Sequence, residues 1–298
     1  MLTGIITRTK NRPFFLKRAI DSVCRQTHTD WLHVIVNDGG ESEPVDSLVA
    51  SYPESYRKKC KVLHLPKSLG MEAASNHAIR SFDSQYLVIL DDDDSWHPEF
   101  LAKTTARLDK KRIPTLGGVV TFAVKVIEQV EGTEVREVKR EPFNDFLQAV
   151  TLYEMAAGNL FTTNSFLFER KAWEEVGGFD PELPVLGDWE FNIRFLAKFD
   201  IDLVHESLSY FHHRVTNQQS SFGNSGVGGR RDHIFYSMFI RNRLIRQDLK
   251  DGKFGLGMLV NNAWGLGQVA LQITHMEHSL PHRKIITKAR GFLRGFRR

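Results

Sequence analysis

Short apolar runs alternate with helical repeats through the first hundred residues of the chain. Uninterrupted apolar runs predict buried strands over residues 2–7, 32–38, 62–65 and 85–91. Between them, apolar side chains recur three and four positions apart, which predicts helices over residues 13–26, 72–82 and 98–108. Strands that alternate with helices predict an α/β fold in which a mostly parallel central sheet is flanked by helices on both faces.

The pattern changes after residue 108. A stretch rich in Val, Thr and Glu over residues 118–138 predicts a hairpin that turns at Gly132. Later segments predict a strand over residues 164–168, a helix over 186–199 and a pair of short strands over 203–213. Residues 220–229 are too rich in glycine for a helix or a strand and predict a mobile loop, and the pattern is helical from residue 230 onwards.

An uncharged segment over residues 254–273 is long enough to span a membrane. Two asparagines, two glutamines and four glycines interrupt it, however. These residues are costly in a lipid core, so the segment predicts a buried or interfacial helix and not a transmembrane one.

The composition is that of a globular protein, since 41% of the 298 residues are hydrophobic and 26% are charged. The chain is long enough for one large or two modest domains. Two cysteines, Cys24 and Cys60, are too few for a disulfide scaffold, so we expect free thiols in a reducing compartment, with Cys24 buried as a small hydrophobe. The first residues carry charge by Arg8 and predict no secretory signal.

The net charge of +4 comes from the C-terminal tail. Residues 282–298 contain seven Lys or Arg and no acid, whereas the rest of the chain holds 33 basic and 36 acidic side chains. A basic face for nucleic acid is therefore not implied. The tail has an apolar stripe at helical spacing, which predicts a basic amphipathic helix on an anionic membrane surface. The alternative is that it packs on the protein itself or on a second subunit.

Polar residues follow three of the predicted strands. Thr7 and Arg8 end the first strand, Asp38 ends the second and Asp91 ends the fourth. Because ligands of parallel α/β sheets bind in the crevice at the carboxyl ends of the strands, we expect the site at this edge.

The four aspartates at residues 91–94 are the strongest chemical signal. Adjacent carboxylates raise one another's pKa, and a hard divalent cation shared with substrate phosphates would neutralise them. The alternative is a solvated acidic turn. A calcium-binding EF-hand loop is excluded, because Trp96 and Ala102 occupy positions that require Gly and Glu. An aspartyl phosphatase would carry its acidic pair after the first strand, and this run follows the fourth.

Several short motifs occur in one order along the first 215 residues. They occupy residues 7–31, 36–40, 69–80, 90–98, 177–195 and 209–214, and include VNDGG, LDDDDSWHP and GDWEFNIRF. In this order the chain resembles family 2 glycosyltransferases of the GT-A fold, of the type that builds bacterial surface polysaccharides. The resemblance implies a Rossmann-like sheet with a C-terminal helical extension. We expect a catalytic domain over 1–229, with a nucleotide-binding half (1–110) and an acceptor-binding half (111–229), followed by a helical region with the basic tail (230–298).

The resemblance implies inverting transfer of a sugar from a nucleotide-diphosphate sugar to a hydroxyl of a glycan or lipid-linked acceptor. UDP is the expected nucleotide, with dTDP and GDP left open, and Mn²⁺ or Mg²⁺ is the expected cofactor. Acceptors of this kind and the absence of a predicted span place the enzyme on the cytoplasmic face of the membrane. The sequence leaves the donor sugar, the linkage and the oligomeric state open.

The resemblance also assigns residues to the donor. Asp38 matches the acid that recognises the base or ribose, and Asp91 and Asp93 match a DxD element that meets the ribose and a metal. The doubled acids leave the register of this element open by one residue. The expected donor-binding residues are Thr7, Arg8, Asn11, Asp38, Asp91, Asp92, Arg230 and Arg231. The two last arginines would close over the diphosphate when the 220–231 loop orders, unless they merely begin a basic helix.

Asp188 is the expected catalytic base, since it matches the Asp of a Glu-Asp-Trp pattern at a helix start. Gly187 stands where a Glu is common, so Glu190 is held in reserve. The alternative is that Asp188 only caps the helix. His213, with His212 in reserve, matches a histidine near the metal, unless it is simply a strand residue facing solvent. We expect Gly70 and Asn76 to serve helix packing. Trp96, Trp173 and Trp189 are candidates to stack on sugars, and Trp31 and Trp173 are equally suited to the core.

Two other functions remain open. A sugar-phosphate nucleotidyltransferase would carry a glycine-rich loop after the first strand, where this chain has TRTKNRP. A catalytically inactive, membrane-associated scaffold of the same fold is disfavoured by the four aspartates Asp38, Asp91, Asp93 and Asp188.

Overall fold

The strands of this protein form a single mixed sheet. A computed structural model describes residues 2–131, 134–214 and 230–279, with the backbone alone at a few of these positions. The strands are β1 (Thr3–Thr9), β2 (Trp31–Asp38), β3 (Cys60–Leu65), β4 (Tyr86–Ile89), β5 (Ser95–Trp96), β6 (Leu116–Glu131), β7 (Glu134–Pro142), β8 (Phe166–Glu169) and β9 (Asp200–Arg214).

Helices cover both faces of the sheet and form the C-terminal part. They are α1 (Pro13–Cys24), α2 (Glu43–Ala50), α3 (Glu54–Arg57), α4 (Met71–Arg80), α5 (Phe100–Asp109), α6 (Leu152–Ala157), α7 (Arg170–Val176), α8 (Gly187–Leu196), α9 (Arg230–Asp251) and α10 (Leu256–Ser279). A 3₁₀ turn (Thr163–Ser165) precedes β8.

The strand order is β3-β2-β1-β4-β8-β6-β9-β5, with β7 paired to the outer part of β6. The first four strands are parallel, as predicted. β8 runs antiparallel to both β4 and β6, whereas β6 and β9 are parallel to each other. The carboxyl ends of β1, β2 and β4 therefore lie side by side, and β9 arrives next to them from the second half of the chain.

Two predicted elements differ in the structure. The pair of short strands expected over 203–213 is one continuous strand, β9, because it stays paired with β6 through register shifts around Phe122. The strand expected over 164–168 begins only at Phe166. Cys24 is exposed and not buried, since the helix α1 turns its other face to the sheet. The predicted hairpin is confirmed by the antiparallel pairing of β6 with β7.

Side chains of successive strand residues pack into two separate cores, one on each face of the sheet. Ile5 faces a core that contains Leu16 of α1 and Phe100 of α5. Ile6 faces the other core, with Ala74 of α4 and Phe191 of α8. Both isoleucines are fully buried. This alternation is the normal pleat of a strand, and it fixes which helices lie on which face.

The C-terminal helices close the second core. Ile240 of α9 and Val260 and Ala263 of α10 are buried in it, and α10 also packs against α6. Within residues 2–131, 134–214 and 230–279, no helix is long and apolar enough to cross a membrane. The expected loop at 220–229 and the basic tail at 282–298 lie outside the described residues, so both remain predictions.

Asn76 links α4, in the first half of the chain, to the second half. Its side-chain Nδ2 donates to the Phe179 carbonyl at 2.7 Å, and its Oδ1 accepts the Phe179 backbone N–H at 3.0 Å. Asn76 is 4% exposed. The pair ties α4 to the segment that leads into α8, as expected for a packing residue.

We expect Asn76→Ala to lower the free energy of unfolding by about 2–4 kcal/mol, because it leaves a buried N–H and a buried carbonyl without partners. Urea denaturation measures the change. His77→Ala, on the exposed side of the same helix, is the control and should change stability by less than about 0.5 kcal/mol. Equal effects of the two substitutions would contradict the role of Asn76.

Candidate active site

A cleft with two compartments opens at the carboxyl ends of β1 and β4. The large cavity has a volume of about 470 Å³ and the small cavity one of about 320 Å³. Both are lined by Arg8, Met71, Asp91 and Asp93, which form the wall between them. The strand ends thus line two adjoining cavities, and their role as the site stays a prediction.

Asp38 shapes the small cavity. Its carboxylate accepts the Ser68 hydroxyl at 2.6 Å and the backbone N–H groups of Leu69 and Gly70 at 2.7 and 3.1 Å. These bonds fix the turn that precedes α4. Gly39 follows with φ +72°, and a Cβ there would stand 2.3 Å from the Ser68 nitrogen, so only glycine fits between the two loops.

Two residues expected at the donor lie outside the cavity linings. Thr7 is fully buried, and its hydroxyl lies 2.8 Å from His33 Nε2. Asn11 is exposed, and its Oδ1 accepts the Glu41 backbone N–H at 2.9 Å. Thr9 takes the place that the sequence suggested for Thr7: it lines the small cavity and donates to Asp92 at 2.8 Å. The sequence signal that could have shown Thr7 to face inward is His33, a polar residue within the apolar strand β2.

Arginines neutralise the acidic run. Arg8 donates to Asp91, with its Nε 3.0 Å from Oδ1. Arg12 contacts Asp92 at 2.8 Å and Asp93 at 2.5 Å. Arg214, at the end of β9, forms a further ion pair with Asp93. The sequence suggested a metal as the neutralising cation, and it did not reveal that guanidinium groups already supply much of the countercharge.

The pKa values of Asp92, Asp93 and Asp94 shift in different directions. Burial opposes the ionisation of Asp93, but Arg12 and Arg214 outweigh it and hold the pKa of this carboxyl below its usual value. Burial raises the pKa of Asp92 to about 7. Burial, together with the charge of Asp93, raises the pKa of Asp94 well above its usual value. The expectation that every pKa in the run is raised therefore fails at Asp93.

The two histidines at the end of β9 play different roles. The ring of His212 is buried between Glu128 (Nδ1 to Oε1 2.8 Å) and Ser95 (Nε2 to Oγ 2.9 Å), and its backbone N–H donates to Asp94 at 3.0 Å. Both ring nitrogens are thus occupied. His213 lines the large cavity, and burial and the nearby charges of Lys125 and Arg214 lower its pKa. Its imidazole is therefore neutral at pH 7, the form that binds metals.

Asp188 lies in the first turn of α8 and lines the large cavity. Its Oδ2 accepts Asn159 Nδ2 at 2.8 Å and the Thr163 hydroxyl at 3.2 Å. Its Oδ1 accepts the Trp189 backbone N–H at 2.8 Å. The N-cap of α8 is Leu186 and Asp188 lies inside the first turn, so the alternative that Asp188 only caps the helix is wrong. One oxygen bonds the adjacent backbone N–H, and the other is oriented by side chains of the cavity wall.

Glu190, the reserve candidate, is engaged elsewhere. It is 4% exposed and forms two bonds of 2.7 Å with Arg194 and a longer contact with Arg243. It lines neither cavity. Its position in the sequence is close to that of Asp188, but two residues further along a helix the side chain points to a different face.

Glu72 is a cavity residue that the sequence did not single out. It is 5% exposed, lines the large cavity, and burial raises the pKa of its carboxyl to about 8. A Cβ built on Gly187 would stand 2.5 Å from the Glu72 carboxyl carbon. The side chain of Glu72 therefore fills the space that a residue larger than glycine would need at position 187.

Of the remaining candidates, those with described side chains lie apart from the cleft. Arg230 begins α9, and its side chain is outside the described residues; Arg231 is exposed and lines neither cavity. Three tryptophans are core residues and not sugar platforms in the cleft, since Trp96, Trp173 and Trp189 are at most 5% exposed.

The cleft offers the donors that a hard divalent cation prefers. Asp91 and Asp93 supply carboxylate oxygens at the wall between the cavities. Arg12 and Arg214 both bind the same oxygen of Asp93, Oδ2. His213 supplies a neutral nitrogen on the large cavity. Among the described residues, no three or more His, Cys, Asp or Glu side chains are already clustered closely enough to hold a metal. The chemistry of the donors fits Mn²⁺ or Mg²⁺, although the ligands are not gathered.

Comparison with known families and proteins identifies the class. The family model for glycosyl transferase family 2 matches residues 4–171, more than half of the chain. An uncharacterized glycosyltransferase of Bacillus subtilis, YwdF, is 31% identical over 207 residues, which cover 68% of this chain and 71% of YwdF. The succinoglycan biosynthesis protein ExoW of Rhizobium meliloti is 32% identical over 102 residues, 34% of this chain and 31% of ExoW.

Solved structures share the fold. The mannosyltransferase PcManGT of Pyrobaculum calidifontis, in complex with GDP-Man and Mn²⁺, has a TM-score of 0.56 at 17% identity, covering 97% of this chain and 79% of its own. S. aureus TarS 1-349, in complex with UDP-GlcNAc, has a TM-score of 0.55 at 19% identity, covering 74% and 61%. This likeness confirms the expected GT-A fold.

We expect Gly187→Ala to destabilise the protein by about 1–3 kcal/mol, because the added methyl group overlaps the Glu72 side chain. The same substitution in a Glu72→Ala background should cost clearly less, and a double-mutant cycle of unfolding free energies measures the difference. Gly265→Ala in α10, where nothing lies within 4 Å of the added Cβ, is the control and should not destabilise. A cost for Gly187→Ala that does not depend on residue 72 would refute the contact.

Proposed function

Because the chain belongs to glycosyl transferase family 2, we propose that it moves a sugar from a nucleotide-diphosphate sugar to a hydroxyl of a glycan or lipid-linked acceptor, with inversion at the anomeric carbon, in surface polysaccharide synthesis. One observation carries this proposal: two cavities meet at Asp91 and Asp93, and Asp188 stands in the large one. A donor can thus bridge the wall while an acceptor approaches from the side of Asp188.

The nucleoside belongs in the small cavity. Asp38 already accepts three hydrogen bonds, and a carboxylate offers about four acceptor positions, so one position remains for a nucleoside donor group. Lys10 and Arg12 line the same cavity and favour the negative charge of the diphosphate. UDP is the nucleotide we propose, in line with the UDP-GlcNAc complex of TarS, with GDP as the alternative from PcManGT.

The diphosphate belongs at the wall between the cavities. Asp93 and Asp91 would hold Mn²⁺ or Mg²⁺ there, with His213 as the third ligand and His212 as the residue that keeps the strand end in place. A bound cation supplies charge neutralisation for the leaving diphosphate. Arg8 and Arg12, which now pair with the acids, lie beside the same wall and add positive charge where negative charge develops.

Asp188 is the base in this proposal. The acceptor hydroxyl oxygen attacks the anomeric carbon from the face opposite the diphosphate, the bond from that carbon to the diphosphate oxygen breaks, and the hydroxyl proton passes to Asp188. Asn159 and Thr163 hold the carboxylate in position. Glu190 keeps a structural role through Arg194.

The described residues support the proposed division of the chain. With the exception of Pro184, the small cavity is lined by residues of the nucleotide-binding half, 1–110. The large cavity adds residues from 111–229, the acceptor-binding half, and His233 of the C-terminal helical region, 230–298.

Replacement of Asp188 by Asn should reduce the transfer rate by two to four orders of magnitude while donor binding persists, because the amide has nearly the same shape and cannot take the proton. Steady-state kinetics and calorimetric titration with UDP measure the two quantities. Glu190→Gln is the comparison and should retain transfer per folded molecule. The assignment fails if Glu190→Gln abolishes transfer and Asp188→Asn does not, and NMR of a product with retained anomeric configuration would refute inversion.

Transfer should be lost in excess EDTA and return with Mn²⁺ or Mg²⁺, because the leaving diphosphate would lack its countercharge. Asp93→Asn should abolish transfer even at high metal concentration, whereas Asp145→Asn at an exposed loop position should not change it. Asn is chosen over Ala because the shape is kept beside Arg12 and Arg214. Full activity in EDTA would contradict metal dependence.

We further propose that the tail at 282–298 binds an anionic membrane surface on the cytoplasmic face, since its seven basic residues can each add about 1 kcal/mol near such a surface. Full-length protein should float with anionic liposomes at low salt and detach at high salt, while a chain that ends at Pro281 should not float. Equal binding of the two chains would rule out the membrane role.

A further inference from the structure

A second groove continues from the large cavity along the C-terminal helices. It has a volume of about 710 Å³ and lies between α9 and α10 on one side and the end of α6 and the start of α8 on the other. Asn159, Leu186 and His233 line both this groove and the large cavity. We call it the helical groove. The matched family region ends at residue 171, so α8, α9 and α10 lie beyond it.

We propose that the helical groove binds the saccharide chain behind the acceptor sugar, so that this protein extends an oligosaccharide and not a lone sugar. This inference rests on the proposed function of the adjoining cleft and specifies its acceptor. The path is set by Asn159, whose Nδ2 bonds Asp188 at 2.8 Å. A sugar whose hydroxyl meets Asp188 therefore has its next residue at the mouth of the groove.

The lining of the groove has the chemistry that a saccharide requires. A sugar ring presents apolar C–H faces and a rim of hydroxyl groups, which suit aromatic rings and amide side chains respectively. The groove offers Trp264, whose ring is 44% exposed, and the amides of Asn242 and Asn261. None of its lining residues is Asp or Glu, so both neutral and acidic saccharides are compatible with it.

Trp264 is held in place by a buried arginine. The Arg241 guanidinium lies 5.4 Å from the Trp264 ring centroid and 4.9 Å from that of Trp189. Its Nη1 donates to the Val260 carbonyl at 2.6 Å, and the residue is 6% exposed. Burial lowers the pKa of Arg241 to about 10, so the guanidinium keeps its charge at pH 7. A ring fixed before binding loses little entropy when a sugar stacks on it.

A lipid tail suits the groove less well than a saccharide does. Polar side chains occur along its whole length, from Asn159 through Ser237 and Asn242 to Asn261. An alkyl chain would take these groups out of water without offering them hydrogen bonds, which is costly. Sugar hydroxyls can replace the water that these groups lose.

The test measures binding of linear oligosaccharides of one to six residues, from chitin, cellulose and mannan, to the full chain by NMR titration. Affinity for at least one series should rise about tenfold or more from one to three residues and then level off, as a groove of limited length fills. Trp264→Ala should remove this dependence on length, and Trp264→Phe should keep most of it. Phe235→Ala, an exposed aromatic of α9 outside the groove, should leave it unchanged.

Three outcomes would overturn the inference. The first is that no series gains affinity with length, and the second is that Trp264→Ala and Phe235→Ala have the same effect. The third is that dodecyl maltoside binds far better than maltose and that Trp264→Ala removes this difference, which would assign the groove to an alkyl chain. Binding of UDP-GlcNAc and GDP-Man to the same unmodified protein is measured in parallel. Failure to bind either donor would refute the proposed function, whereas donor binding without any length dependence would refute only the groove.

Discussion

The structure depends on the pairing of three adjacent aspartates, Asp91, Asp92 and Asp93, with arginines from distant parts of the chain. Charges removed from water are costly unless they meet opposite charges with good geometry. Arg8 and Arg12 come from the end of the first strand, and Arg214 comes from the end of the last one. The ends of β1, β4 and β9 must therefore converge for the run to be tolerated, and the cleft lies where they do.

A second layer holds this arrangement from behind. The Glu128 carboxylate of β6 forms an ion pair with Arg18 of α1 and bonds the ring of His212. The backbone N–H of His212 in turn donates to Asp94. Glu128 and Arg18 line neither cavity, so they hold the end of β9, and through it Asp94, from outside the cleft. Such a supporting layer keeps reactive groups in place without reducing the space for substrate.

Local sequence patterns predicted most of the fold and the edge at which the site lies. Periodicity found β1 to β4 and the helices α1, α4 and α5, because each of these elements buries one continuous apolar face. It missed the short elements α2, α3 and β5. It divided β9 into two, since the pairing with β6 that keeps the strand continuous lies some 80 residues away along the chain. It gave no sign of the arginine partners for the same reason: a partner far away in the chain leaves no local period.

Within the site, Asp38 and Asp91 were predicted because they stand at the ends of strands, and Asp93 and Asp188 because they match motifs of the family. Thr7 was placed with them, although its neighbour Thr9 lines the cavity. The difference between these two residues is decided by which side chain finds a buried partner, His33 in one case and Asp92 in the other. Which of two neighbouring polar residues lines the cavity therefore depends on tertiary contacts, and a short stretch of sequence does not show these contacts.

The contact between Glu72 and Gly187 has a consequence for comparing this protein with its relatives. Aligned column by column, the chain shows a glycine in a motif that commonly holds an acid, and the motif looks degenerate. In space, a carboxyl group from α4 occupies that place. An inventory of acids taken from aligned positions would count one too few, so motif completeness in such proteins is better judged from the neighbours of a position than from its letter.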